Sequence, residues 1–417
     1  MLNLLQIGRG DVLGSRFNGF AIRDMLKRRD INSAFLAYEP RSQDPAVERA
    51  LSYPGSAFVT RATSRWERRH ALHSVAQLHS FGLPFQRAFR KADVVHYQII
   101  HDGFFSILAM PFLSRLKPSV WTWHDPWIMT GHCIYPMECE RWKIGCGECP
   151  DLARPFAVSH DNTRKGFALK KWTVEHSPIN IVLASKWMMR MAAASPIGKQ
   201  AKLHHIPFGL DLNRYRPRDP GPAREKFGIR PGHVVIAVRG YDSPFKGVHE
   251  FVAALEHIDT PVCVLVMQDG GRFDGLIGKH QIISLDWSDN EDQLIEAYAA
   301  SDFFVMPSTA EAFGLMAVEA MACGKPVIVF EGTSLPEVTF APDVGIAVPM
   351  RDVRALRDAV ASLVENVADR LSRGRKAREI AERFYDDTIF ADRLSSLYRS
   401  VAARHPVPVD AEGIVTT

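Results

Sequence analysis

The chain has 417 residues, of which 46% are hydrophobic and 24% charged. Those are the proportions of ordinary folded proteins, and at roughly 150 residues per domain the length suits two domains, which excludes a single small module, wholesale disorder and a fibrous repeat. Lysine and arginine number 51 against 47 aspartate and glutamate, a formal balance of +4 that is too mild to imply nucleic acid by itself, so electrostatic partners must be read locally.

Residues 2–7 form an apolar run, 8–15 a glycine-bearing loop, 17–29 a helical stretch and 34–38 a second apolar run, which predicts a strand, helix, strand unit. The rhythm recurs at 94–97, 120–123 and 181–184, separated by longer helical or irregular stretches, so the first half reads as a parallel sheet covered by helices. No basic lead-in or small-residue cleavage site accompanies the first apolar run. The best candidate for a spanning helix, 103–114, is far short of about 20 residues and carries Pro111. A cytoplasmic location is expected, with the six cysteines as thiols in a reducing compartment.

Between 207 and 232 prolines and glycines concentrate, from Pro207 and Gly209 to Pro231 and Gly232, which suits an interdomain hinge. The pattern then restarts at 234–238, 262–267, 282–285, 303–306 and 327–330, with a helical stretch at 291–300. The expectation is an α/β protein of two Rossmann-like, doubly wound domains, 1–205 and 206–384, facing a central cleft, with a short mobile tail over 405–417.

The strongest local signal is 307–326, which follows a strand and opens a helix expected to begin near Phe313. The first backbone N–H groups of such a helix, at Phe313, Gly314, Leu315 and Met316, lack intrahelical partners and can receive an anion such as a diphosphate. Glu311 precedes these donors and Glu319 follows, about 10 Å further along if the rise is helical. Carboxylates accept hydrogen bonds that hydroxyls donate, so one can hold a sugar hydroxyl and the other a ribose hydroxyl across a diphosphate. On residue types alone, a capped amphipathic helix with Glu319 as a solvated charge accounts for the pattern equally well. After the 234–238 run come Arg239 and Gly240, then Lys246 and Gly247. A fixed guanidinium and an ammonium can stabilise the charge that builds on a departing diphosphate, without a metal.

The pair of glutamates eight positions apart, in its Pro-Ser, Phe-Gly and Gly-Lys-Pro frame, together with the basic pair, resembles the retaining nucleotide-sugar glycosyltransferases of the GT-B, family-4 type. The resemblance runs from Leu2 to about Tyr398. It implies a GT-B fold, a UDP- or GDP-sugar donor on the second domain, an acceptor on the first, and a carboxyl-terminal helix over 385–404 packing back on the first domain. Arg239, Lys246 and Glu311 take catalytic roles by that likeness, and Glu319, Phe313, Gly314 and Leu315 donor-binding ones. Retention rests on the likeness alone; no residue stands out as a covalent nucleophile, and the leaving phosphate can itself take the acceptor proton. The stretch 206–211 looks like the family's interdomain strand end, with Phe208 where asparagine is common, and Glu337 looks like a family acidic position that a surface turn explains equally well.

In the first domain, Gly10 and Gly14 lie in a strand-to-helix loop where backbone can approach a ligand, although the full dinucleotide fingerprint is missing. The 121–127 segment ends a strand, and His124 there matches the family histidine that contacts the donor sugar or reacting centre, which makes it the catalytic candidate of this domain. Asp125 orients His124 or caps the next turn, and with Arg16 is assigned to the acceptor side. Cys133, Cys139, Cys146 and Cys149 fall within 17 residues, a spacing compatible with a structural Zn site, with two disulfides or with free thiols. The stretch from His124 to Pro150 further resembles a subgroup that builds bacterial surface polysaccharides.

Between 61 and 91, seven basic residues (Arg61, Arg65, Arg68, Arg69, Arg87, Arg90 and Lys91) face one acid, Glu67, with Trp66, Phe81, Phe85 and Phe89 interleaved. Such a patch suits an anionic membrane surface, at the inner face of the cytoplasmic membrane, or a solvated helix covering the core; no nucleic-acid motif accompanies it. The expected function is transfer of a sugar from a nucleotide sugar to a lipid-linked or oligosaccharide acceptor in surface-polysaccharide synthesis, with no cofactor required for catalysis. The alternatives are a nucleotide-sugar epimerase or phosphorylase on the same plan, or a Zn-stapled saccharide-binding protein without turnover.

Overall fold

The computed structural model describes residues 1–12, 15–50, 55–101, 103–285 and 291–403. The expected tail over 405–417, and Gly14, lie outside the described residues. The chain divides into two compact units: Met1–Ala184 with Met188–Ile206 and the stretch from Phe390 on, and Ser185–Trp187 with Pro207–Ile389.

The first unit holds β1 (Leu2–Gly8), β2 (Ile31–Ala37), β3 (Val47–Arg49), β4 (Val94–Gln98), β5 (Ser119–Thr122), β6 (Ile179–Leu183) and β7 (Lys202–His205), in the order β3-β2-β1-β4-β5-β6-β7. Every adjacent pair is parallel. The second unit holds β8 (Val234–Arg239), β9 (Val262–Met267), β10 (Gln281–Leu285), β11 (Phe303–Met306), β12 (Val327–Phe330) and β13 (Ile346–Val348), in the order β10-β9-β8-β11-β12-β13, again wholly parallel. These are the two expected Rossmann-like sheets. Helices cover both faces of such sheets, so central strands read as unbroken apolar runs: all residues of β4 and of β9 are buried. In the second sheet Val238, Val264 and Val305 meet Phe251, Leu356 and Val360 on one face, while Val235, Cys263 and Leu265 meet small residues, Ala223, Ala299 and Ala300, on the other.

Three strands escape the sequence pattern, and all lie at sheet edges: β3, β7 and β13 are three or four residues long and only partly buried. The helix expected over 17–29 shrinks to Arg23–Lys27. Asn18 takes the preceding residues out of the helix, since its amide donates to the Gly10 carbonyl and its oxygen accepts from the Phe20 N–H, and Gly19 follows at φ +82°. The last helix, Asp387–Ala403, belongs to the first unit from Phe390 onward. Tyr398 and Asp392 on it bond to His96 and Arg29. Among the described residues no helix is long and apolar enough to cross a membrane.

Candidate functional site

The second sheet changes winding direction between β8 and β11, because β9 extends it to one side of β8 and β11 to the other. Ligands of open α/β sheets bind in the crevice beyond the carboxyl ends of the strands at such a switch point. Both basic and acidic motifs emerge there, one after β8 and the other after β11. The two loops are stitched together: Thr309 N–H donates to the Phe245 carbonyl at 2.9 Å and its hydroxyl to the Pro244 carbonyl at 3.2 Å. Gly247 permits the approach. Its φ is +62°, and a Cβ there would stand 1.9 Å from the Pro307 carbonyl oxygen.

This stitching brings Lys246 Nζ to 3.0 Å from Glu311 Oε2, with the two side chains 19% and 18% exposed. Arg239 sits beside them, its Nε and Nη2 donating to Gln268 Oε1 at 3.3 and 3.0 Å, and its guanidinium 5.4 Å from the Tyr241 ring centroid. Burial pulls its pKa below the ordinary arginine value while Glu311 and, more weakly, Glu319 pull the other way; an arginine so perturbed stays charged. The expected quartet of Arg239, Lys246, Glu311 and Glu319 is thus gathered into one electrostatic neighbourhood.

The helix after Glu311 spans Leu315–Ala322, two residues later than expected, with Gly314 at its N-cap in the left-handed region at φ +91°. A Cβ on Gly314 would meet Leu335 Cδ2 at 2.3 Å, so the turn that aims the helix start at the site requires glycine. Phe313 is buried beneath this turn against Phe208 and Tyr385, at ring centroid distances of 5.1 and 5.8 Å. Phe208, the departure from the family asparagine, therefore serves as packing under the acidic loop. Ser334 fixes the loop from the other side, its N–H and hydroxyl donating to the Glu311 carbonyl at 3.2 and 3.0 Å. Glu319 is fully buried, not a solvated charge, and its Oε2 accepts from the Tyr298 hydroxyl at 3.1 Å. Glu337 Oε1 accepts from the Trp187 N–H at 3.0 Å, which pins the Ser185–Trp187 segment.

In the first unit, His124 and Asp125 follow β5. His124 Nε2 lies 2.8 Å from Gln98 Oε1 and its ring 5.3 Å from that of Phe17. Burial pushes the imidazole down to about 3, with Asp125 pulling it up and His101 down again. It is neutral at physiological pH. Asp125 acts on His124 through its charge while its oxygens bond to other groups. Its Oδ2 meets His101 Nε2 at 3.0 Å and its Oδ1 caps the 3-10 turn Pro126–Met129 through the Trp127 N–H at 2.9 Å. Burial raises that carboxyl, but His101 and the hydrogen bonds together hold it below the ordinary value. Gly10 and Arg16 lie in the loop after β1. Asp11 ties that loop down by accepting from the Arg41 and Ser42 N–H groups at 2.9 and 3.0 Å.

The four clustered cysteines line one cavity of about 20 Å³ together with His132, whose Nε2 lies 3.4 Å from Cys149 Sγ. All six cysteines are free thiols, so the disulfide alternative fails. Among the described residues no group of three or more His, Cys, Asp or Glu is placed to hold a metal ion. Burial pushes the Cys146 thiol up to about 12 and raises Cys133 and Cys149 as well, so they stand as separate neutral groups. Lys170, buried behind them, donates to the Trp127 and Thr130 carbonyls at 2.6 and 3.0 Å and lies 3.6 Å over the Trp127 ring. Desolvation draws it down to about 7.

Sequence reasoning missed Tyr298, Gln268, Tyr241, Gln98, His101 and Lys170. None lies in a motif; Tyr241 neighbours Arg239 in the chain, and each of the others reaches its partner only through the packing of separate elements.

Residues 222–380 match the family model described as glycosyl transferases group 1. Over 420 residues the chain is 24% identical to D-inositol 3-phosphate glycosyltransferase of Rhodococcus jostii (strain RHA1), covering 96% of this chain and 88% of that protein. Among solved structures it is similar to sucrose-phosphate synthase from Thermosynechococcus elongatus, with a TM-score of 0.69 at 18% identity over 97% of this chain and 100% of that one. It is also similar to Anabaena HepE in complex with UDP-glucose, with a TM-score of 0.65 at 16% identity over 96% of this chain and 100% of that one. Residues 222–380 are thus similar to the glycosyl transferases group 1 family, and the chain as a whole has the GT-B pair of Rossmann-like sheets.

Proposed function

We propose that the chain transfers a sugar from a nucleotide-sugar donor, with retention, to a hydroxyl of a saccharide or polyol acceptor. The observation that carries this reading is the Lys246–Glu311 pair beside Arg239 at the β8/β11 switch point, in front of the Leu315–Ala322 helix start. Arg239, Lys246 and the backbone N–H groups of Phe313, Gly314 and Leu315 hold the diphosphate, Glu311 a hydroxyl of the sugar, and Glu319 a hydroxyl of the ribose. As the sugar–phosphate bond breaks, the two cations stabilise the charge that appears on the leaving diphosphate. The acceptor oxygen bonds to the anomeric carbon, and its proton passes to the leaving phosphate oxygen. His124 is the catalytic histidine of the first unit, with Gly10, Arg16 and Asp125 on its ligand-facing loops. A relative recorded with UDP-glucose supports a uridine donor. Relatives named as inositol phosphate glycosyltransferases favour a phosphorylated polyol as acceptor over the lipid-linked saccharide of surface-polysaccharide synthesis, which the His124–Pro150 resemblance favours.

A membrane-borne acceptor draws support from the first unit's surface. Phe58, Trp66, Phe81, Phe85 and Phe112 are exposed, and all seven basic residues between 61 and 91 are exposed with them. The one acid there, Glu67, is buried as an acceptor for the Val75 and Ala76 N–H groups. Phe89 belongs to the core.

The test is a thermal-shift screen of the purified chain against UDP- and GDP-sugars, followed by nucleotide release with inositol phosphate or a lipid-linked saccharide as acceptor. Acceptor-dependent release that Glu311→Ala abolishes is expected. Sugar interconversion without an acceptor would establish an epimerase, and binding that Glu311→Ala spares a non-catalytic protein.

A further inference from the structure

A row of polar side chains crosses the interior of the first sheet. Ser33 on β2, Gln6 on β1 and Gln98 on β4 are 6%, 1% and 2% exposed, on strands that are consecutive neighbours, and His124 follows β5, the next strand in the order. Gln6 Nε2 donates to Ser33 Oγ at 3.2 Å, Gln98 Nε2 donates to Gln6 Oε1 at 3.3 Å, and Gln98 Oε1 is the atom that meets His124 Nε2 at 2.8 Å. The Gln98 amide nitrogen also lies 3.2 Å from both ring nitrogens of His96. That ring is held in turn by the Tyr398 hydroxyl and by Thr122 Oγ1, each at 2.7 Å. The chain passes over the row at Gly19, where a Cβ would stand 2.4 Å from Gln6 Oε1.

Stability alone does not call for this row, since apolar side chains of the same shape would serve a parallel sheet at least as well. What the row does is orient an amide. With its NH₂ committed to the Gln6 oxygen and the His96 ring, Gln98 has only its oxygen to offer His124, and an oxygen acceptor demands an N–H. We infer that Gln98, oriented by Gln6 and Ser33, is a positioning residue that fixes His124 as the Nε2–H tautomer. A neutral imidazole so fixed has its one proton engaged at Gln98 and cannot act as the acid that protonates a leaving group. The inference rests on the reading of His124 as the catalytic histidine.

The test uses the full chain labelled with ¹⁵N-histidine and long-range ¹H–¹⁵N correlation at pH 7, with His124 assigned by its disappearance in His124→Gln. A single Nε2–H tautomer is expected in the unaltered protein. Gln98→Met, and Gln6→Met, which touches no atom of His124 in this row, should each give a tautomer mixture, with donor turnover down at least tenfold and donor KM within threefold, as expected for a misoriented group. An Nδ1–H tautomer in the unaltered protein overturns the inference, as does an unshifted tautomer in either variant. The unaltered spectrum decides even where a variant does not fold. A shifted tautomer with full turnover supports the positioning and counts against the catalytic reading of His124 instead.

Discussion

Gly247 is where a single methyl group should separate the architecture of the proposed donor site from its chemistry. In Gly247→Ala the new Cβ would begin 1.9 Å from the Pro307 carbonyl oxygen and 3.3 Å from Phe330 Cε2. Contacts to a Cβ essentially never fall below about 3 Å, and the atom in the way is backbone, so the two loops must part by roughly an ångström. Lys246 is the adjacent residue, and its 3.0 Å contact with Glu311 depends on those loops staying together. A misplacement of that size costs about 100-fold in turnover, while holding alanine at positive φ costs about 1–3 kcal/mol, or roughly 2–4 °C of Tm per kcal/mol for a domain of 150–250 residues. The control is Gly228→Ala, at φ +64° with nothing within 4 Å of the added Cβ. It carries the same backbone strain without the collision. Nucleotide release from the donor and thermal melting, measured on both variants, should show both losing stability and only Gly247→Ala losing turnover. Equal turnover in the two would refute the claim that the close approach of these loops builds the site.

Lys246→Ala should lower turnover by two or more orders of magnitude, about 3–4 kcal/mol for loss of one charge-stabilising contact; steady-state kinetics within a factor of three of the unaltered protein would count heavily against its role. Tyr298→Phe removes the hydroxyl that Glu319 accepts from and should raise donor KM by about five- to tenfold, the worth of roughly 1 kcal/mol or slightly more in orienting a buried carboxylate, with Tm falling by a few degrees; an unchanged KM would detach Glu319 from the ribose. Burial pushes His96 and His124 down to about 3 from an ordinary 6.5 and lowers His79, His132 and His280 as well. The unfolded chain therefore binds protons between about 6.5 and 3 that the folded chain refuses, and stability must fall as pH drops through that window. Urea midpoints at pH 7, 6, 5 and 4.5 should decline, less steeply in His96→Gln, and a flat series would contradict the buried neutral histidines. The Asp125 carboxyl, held low, contributes its stability above the ordinary value of 3.8 and loses it only below that.

Much of the fold could be read from residue order because both sheets are wholly parallel. A strand buried on both faces must be apolar throughout, and runs such as Val262–Met267 or Val327–Phe330 have no other reading once glycines and prolines bound them. Edge strands carry no such constraint, which is why Val47–Arg49, Lys202–His205 and Ile346–Val348 are silent in the sequence. The quartet proposed for the donor side was legible for a related reason. Arg239 ends β8, Lys246 and Glu311 sit in the loops after β8 and β11, and Glu319 lies in the helix that follows, so local order places them toward one end of the sheet.

What the sequence could not hold is which strands are neighbours. Lys246 and Glu311 are 65 positions apart, Tyr298 and Glu319 21, Gln98 and His124 26, and each pair meets only because sheet order and helix packing bring two elements side by side. The fate of the cysteines was undecided for the same reason, since spacing along a loop does not set the distances between sulfurs. Chain order thus determined the layers and the chemical groups delivered to each sheet's end, because burial of a parallel strand is written into its own residues. Tertiary structure decided which of those groups touch, because hydrogen bonds and charges act over a few ångströms of space and are indifferent to separation along the chain.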